Sequence, residues 1–144
     1  GAECNSTFWL YAHRFNLELN GFDDLNFIWM NVNKFGRNTG KGKPEQVVLD
    51  DEVHYYNLLA EELEILQPDV CLFFTGPNYD EDIRLKISDI EYHEFAGYSV
   101  RNVARLRSKH LPKHSYRTYH PGYDNRISET YIGILNAILQ DCKR

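Results

Sequence analysis

Apolar residues fall along this chain in two distinct rhythms. Phe27-Ile28-Trp29-Met30, Val70-Cys71-Leu72-Phe73-Phe74 and Tyr116-Arg117-Thr118-Tyr119 are short runs, each closed by a polar, turn-forming tip. Runs of this length bounded by turn residues read as strands buried on both faces, as in a parallel sheet. They predict strands at 26–32, 69–74 and 115–119. Elsewhere the spacing is helical. Ser6 is placed to cap a helix carrying Phe8, Leu10, Tyr11, Phe15 and Leu17 and ending near Asn20-Gly21. Val53, Tyr56, Leu59, Leu63 and Leu66 predict one long helix from about Pro44 to Leu66, stopped by Gln67-Pro68. Ser128 precedes a last helix with Tyr131, Ile132, Leu135, Ile138 and Leu139 on one side. Residues 80–98 fit a strand or a short helix, and 99–110 read as a helix or loop with a basic face.

The order of helices and strands predicts an α/β fold, a sandwich with a mostly parallel sheet, in one domain spanning residues 1–144. In such sheets ligands bind at the carboxyl ends of the strands. Asn31, Asn78 and His120 all stand at those ends and are expected to share one crevice.

Charge changes this picture in one place. The net charge is −5, yet residues 101–117 hold six Lys or Arg, two His and no acid. Arg101, Arg105, Arg107 and Lys109 are therefore candidate phosphate contacts. The three cysteines form no CxxC pair, which reads as reduced thiols in a cytoplasmic protein. No apolar run has the length of a membrane span, so no membrane partner is expected.

Several chemistries are excluded by spacing. In the glycine-rich loop FGRNTGKGKP, Gly36 to Gly40-Lys41 is one residue short of a P-loop, and Gly42-Lys43 is followed by Pro44, which cannot hold magnesium. His110 and His114 are separated by Pro112, and neither an HExxH nor a GxSxG pattern occurs, so no metal set and no serine elbow emerges. No cofactor is called for. What remains is His120-Pro121, whose imidazole can donate to a developing anion or exchange a proton near neutral pH. Asn31 offers a donor and an acceptor, the pattern that reads a nucleobase edge. Tyr79 and Tyr123 can stack on a planar ligand.

Taken together, IWMNVNK, LFFTGPNYD and TYHPGYDNR, about 45 residues apart and in that order, resemble the uracil-DNA glycosylase superfamily, its uncharacterised bacterial branch most closely. The resemblance covers residues 26–127. It implies a three-layer α/β/α sandwich and a DNA-repair hydrolase chemistry. Asn31 and Asn33, with Gly76, Asn78, Tyr79 and Tyr123, would hold a nucleobase, nucleotide or nucleic acid, and His120 would stabilise the departing base. It also implies a first strand, carrying the water-activating residue, that is missing from residues 1–144. The position of the family's apolar wedge is Asp124, an acid that would repel phosphate. N-glycosidic bond hydrolysis is expected only if an upstream segment completes the site. The alternative is a non-catalytic interaction protein that keeps the fold.

Overall fold

A computed structural model describes residues 6–21, 26–37, 39–122 and 129–144. Among these residues the fold is α/β, with a four-stranded mixed sheet and five α-helices. Helix α1, Thr7–Asn20, begins where the Ser6 hydroxyl accepts the Trp9 N–H at 3.4 Å. It ends at Gly21, whose φ of 77° is left-handed and whose N–H reaches the Leu17 carbonyl at 2.8 Å. Both caps are those the sequence predicts.

The long helix expected over 44–66 is two. Helix α2, Gln46–Tyr55, and helix α3, Leu58–Leu66, are separated by Tyr56 and Asn57, which leave helical backbone geometry. Asn57 Nδ2 donates to the Lys86 carbonyl at 3.0 Å, so a contact distant in sequence fixes the break.

Strand β1, Val70–Phe73, leads through a short 3₁₀ turn, Pro77–Tyr79, into helix α4, Asp80–Lys86. Strands β2, Glu91–His93, β3, Val103–Arg107, and β4, His114–Thr118, follow, and helix α5, Glu129–Cys142, closes the chain. Ser128, the expected cap of α5, lies outside the described residues.

The sheet order is β1-β4-β3-β2. β1 and β4 are parallel neighbours in register Val70↔His114 to Phe73↔Arg117, as their apolar runs predict. The other pairings are antiparallel, so the sheet is mixed rather than mostly parallel. The cause is connection length: 94–102 and 108–113 are too short for the helical crossover that parallel strands need. The basic stretch thus holds a strand, β3, where a helix or loop was expected.

Residues 26–32 form no strand, contrary to expectation. A strand exists through its ladder, and among the described residues no backbone hydrogen bond joins 26–32 to β1. Ile28 is 67% and Trp29 53% exposed.

Alternation along the strands divides the core between the two faces of the sheet. On one face, Phe73, Ala104 and Leu106 pack with Leu59 and Leu63 of α3 and Ile83 of α4. On the other, Val103 and Tyr116 pack with Tyr131, Ile134, Leu135 and Ile138 of α5, with Tyr11 and Phe15 of α1 against them. Each such side chain withdrawn from water contributes about 1.5–3 kcal/mol before the entropy of ordering it is counted.

Candidate functional site at the β1 and β4 tips

Because β1 and β4 are parallel and hydrogen-bonded, their carboxyl ends emerge side by side. The Gly76 N–H donates to the Thr118 carbonyl at 2.9 Å and ties the two tips together. Gly76 has φ 70° and ψ 169°, a backbone region open essentially to glycine alone. A Cβ there would also stand 3.4 Å from the Tyr119 ring.

Below the tips an ion pair locks the turn. Arg117, fully buried on β4, donates from Nε and Nη2 to the two oxygens of Asp80, both at 2.9 Å. Two further N–H groups reach the Val100 carbonyl at 2.8 Å and the Arg101 carbonyl at 3.1 Å. The guanidinium therefore binds β4, the start of α4 and the approach to β3 to one point. Asp80 and Arg117 were both missed as site-forming residues, since only the fold brings them together.

His120 stands on the β4 tip with its ring stacked on Phe8 of α1, centroids 5.4 Å apart and planes 15° from parallel. The Gly122 N–H donates to His120 Nδ1 at 3.0 Å. A nitrogen that accepts that bond carries no proton, so the neutral ring holds its proton on Nε2. Partial burial lowers the imidazole pKa below its ordinary value and favours this neutral form. The result is a preset donor at Nε2. Phe8 itself, which also meets Phe74 edge-on at 5.7 Å, was legible in the sequence only as a helix apolar position.

A channel of about 1530 Å³ opens beside these tips. Asn31, Asn33, Gly76, Asn78, Tyr79 and His120 all line it, as the shared crevice requires. Their chemical availability differs. The Asn31 side chain is exposed, while its carbonyl accepts from Lys34 Nζ at 2.7 Å. Asn33 is committed: its Nδ2 donates to Asp82 at 3.1 Å and its Oδ1 accepts from Lys86 Nζ at 2.8 Å. Asn78 is exposed, and its carbonyl accepts from Lys43 Nζ. The Lys43 ammonium lies 4.7 Å from the centre of the Tyr79 ring and 3.0 Å from Asp82. Tyr123 and Asp124 lie outside the described residues.

Behind Asn33 sits a buried polar cluster. Lys86 Nζ contacts Glu52 at 2.5 Å, with both side chains 2% exposed. The Lys34 N–H adds a bond to Glu52 at 3.0 Å, and Lys34 Nζ reaches Glu62 at 2.6 Å. These ties anchor residues 32–35 to α2, α3 and α4, and so hold the Asn31 end of the channel in place.

The four basic candidates are not gathered at the crevice. β3 runs antiparallel to β4, so Val103 faces Thr118 at the tip edge while Arg107 faces Glu91 on β2 farther along. Arg101 stands near the tip edge and is exposed. Arg105 pairs with Asp141 at 2.6 Å and lies over the Phe95 ring. Arg107 and Lys109 are exposed toward the other edge, and the Lys109 N–H donates to Asp89 at 2.9 Å. Lys43, from the glycine-rich loop, is instead the cation held against Asn78 and Tyr79. Among the described residues no group of three or more His, Cys, Asp or Glu is placed to hold a metal, and no helix is long and apolar enough to cross a membrane. Comparison with known proteins finds no family model, no curated protein and no solved structure that matches this chain.

Proposed function

We propose that the tips of β1 and β4 bind a nucleobase or nucleotide, in the manner of the uracil-DNA glycosylase superfamily and its three-layer sandwich. The observation that carries this reading is the His120 ring, whose Nδ1 is occupied by the Gly122 N–H and whose Nε2 is left as a neutral donor. Such a donor suits a base carbonyl that gains negative charge as a glycosidic bond breaks. Asn31 offers the edge-reading amide, Tyr79 a ring, and Lys43 a cation for a phosphate or the anionic base. Asn33, held by Asp82 and Lys86, serves as a positioning residue for Asn31 in this reading. Base release also needs a group that holds water. Among the described residues, Asp80 and Asp82, which follow the β1 tip, are each engaged by a cation, so base release would need a further group to hold water.

The test is base or nucleotide binding, and base release from single- and double-stranded substrates, by the full-length protein. His120→Ala is expected to lower release by roughly ten- to a thousandfold, the effect of one lost donor. Asn31→Asp is expected to change base preference by replacing a donor with an acceptor. Release that survives both substitutions rules out this mechanism. If no nucleobase, nucleotide or oligonucleotide binds, the reading passes to a non-catalytic interaction protein, which the size of the channel favours: 1530 Å³ exceeds the roughly 300–1,000 Å³ of a small-molecule site.

A further inference from the structure

We propose that an exposed aromatic row, Phe35, Tyr56 and Tyr55, with the acidic face of α2 beside it, is a docking surface for a separate protein, bound through an extended segment that carries arginine at alternate positions. The inference stands apart from the base-binding reading, whose residues it does not use.

The row exists because the helix breaks. The spacing of Val53, Tyr56, Leu59 and Leu63 predicts Tyr56 on the core side of one long helix. In the structure Tyr56 has φ −144° and ψ 59°, and α2 ends there. Its ring turns outward and is 56% exposed, beside Tyr55 at 67%. Phe35, 45% exposed, continues the row. Ring centroids lie 6.4 Å apart from Tyr55 to Tyr56 and 6.0 Å from Tyr56 to Phe35. Backbone bonds hold the rings in place: the Tyr56 N–H donates to the Glu52 carbonyl at 2.8 Å, and the Phe35 N–H to the Glu52 carboxylate at 3.4 Å. Three large rings kept side by side in water mark an interaction surface.

Charge identifies the partner. Residues 45–69 hold eight Asp or Glu and no Lys or Arg. Glu52 and Glu62 are taken by Lys86 and Lys34. The other six, Glu45, Asp50, Asp51, Glu61, Glu64 and Asp69, are exposed, and among the described residues none has an ion-pair partner. Asp51 precedes Tyr55 by four positions on α2, which makes the two surface neighbours, and Asp50 is exposed next to it. Arg37 and Lys41, exposed in the loop that follows Phe35, leave the balance negative.

A row of rings also suits a single nucleic-acid strand, but its phosphates would meet carboxylates where they need a cationic track. A guanidinium answers both features at once, since its plane stacks on a ring while its edge pairs with a carboxylate. The compact ammonium of lysine has no such plane. Spacing sets the pattern. Alternate side chains of an extended chain project to one side about 6.6 Å apart, close to the interval between these rings, so successive arginines of the segment can each meet one ring.

The experiment titrates the whole chain with a fluorescent peptide of about nine residues that alternates Arg with Ser, read by anisotropy. The same peptide with Lys for Arg, and a single-stranded oligothymidylate, are run beside it. The Arg peptide is expected to bind more tightly than the Lys peptide. Tyr55→Ala with Tyr56→Ala should weaken it about five- to thirtyfold, the loss of two exposed cation–ring contacts. Asp50→Asn with Asp51→Asn should weaken it about twofold or more. Where the tyrosine pair lowers the urea midpoint, Tyr55→Ala alone carries the test, with about two- to fivefold expected. Equal binding of the Arg and Lys peptides would overturn the proposal, as would binding indifferent to the tyrosines, because charge alone would then explain it. Absence of binding would overturn it as well. Oligothymidylate binding lost with the tyrosines would overturn it in favour of a nucleic-acid strand. A dimer seen by light scattering that dissociates in the same variants would overturn it in favour of a second copy.

Discussion

Removal of the Arg117 cation is the most decisive perturbation of the site's frame. Arg117→Met keeps much of the apolar stem and deletes four hydrogen bonds: two to Asp80, one to Val100 and one to Arg101. Arg117 is fully buried, and the Asp80 side chain is only 19% exposed, so water can compensate only in part. Breaking a buried pair by removing one partner costs about 3–5 kcal/mol, because the remaining charge stays desolvated. For a domain of this size each kcal/mol lowers Tm by about 2–4 °C, which gives a loss of about 6–20 °C. Asp80→Asn keeps an acceptor and should cost less, about 1–3 kcal/mol. In the double variant the stranded carboxylate is gone, so its loss should fall short of the sum of the two single losses by about 1–3 kcal/mol. Urea denaturation with an unchanged m-value reads each quantity. The reasoning is refuted if Arg117→Met costs less than about 1 kcal/mol, or if the two variants add within about 0.5 kcal/mol.

Gly76→Ala should cost about 1–3 kcal/mol, since its backbone angles exclude a side chain; a urea midpoint equal to that of the parent would contradict this. Burial opposes the Glu52 charge, but the bonds from Lys86 and from the Lys34 and Phe35 N–H groups outweigh it and hold the carboxyl below the usual range. A folded pKa below the unfolded one gives stabilisation that is complete above about pH 4.3 and lost as pH falls through the folded value. Glu52→Gln should therefore start less stable and fall less steeply in acid, as urea midpoints against pH would show. Gly122→Ala places a Cβ 3.2 Å from His120 Nδ1 and should displace the ring and weaken its tautomer preference. Nitrogen NMR of His120 checks this: in the parent protein Nδ1 should read as an acceptor and titrate below about 6.5, and a higher value would refute the neutral-donor geometry.

Local signals carried the parts of the fold that local chemistry determines. Ser6 and Gly21 cap α1 where their types predict, and the runs at β1 and β4 pair in parallel as unalternated apolar strands should. The run 27–30 sends the same signal, yet a ladder requires a neighbour, and none stands beside it among the described residues. β3 was hidden because Arg105 and Arg107 interrupt its apolar positions, and the packing of Arg105 between Asp141 and aromatic rings is visible only in three dimensions. The break at Tyr56–Asn57 contains neither Gly nor Pro, and its stabilising partner is the carbonyl of Lys86. The same limit applies at the site. Parallel strands with turn-rich tips sufficed to bring Gly76, Asn78, Tyr79 and His120 to one crevice. Nothing local to Asn33 shows that Lys86 and Asp82 claim its amide, and nothing in the basic stretch shows that β3 carries it away from the tips.

The mixed sheet also sets an order of assembly. In the β2-β3-β4 meander, Tyr92 pairs with Leu106 and Arg105 with Tyr116, partners 14 and 11 positions apart. Val70 and His114, which begin the β1-β4 ladder, are 44 apart. Closing the longer loop costs about 1 kcal/mol more in chain entropy, and it does so for a strand that has one ladder to gain among the described residues. The meander can therefore form as a nucleus, with β1 joining late. Substitutions in β1 should then speed unfolding and leave the folding rate nearly unchanged. The tip that carries Gly76 would be delivered to His120 only in the last step of folding, so the crevice is the youngest part of the native structure each time the chain folds.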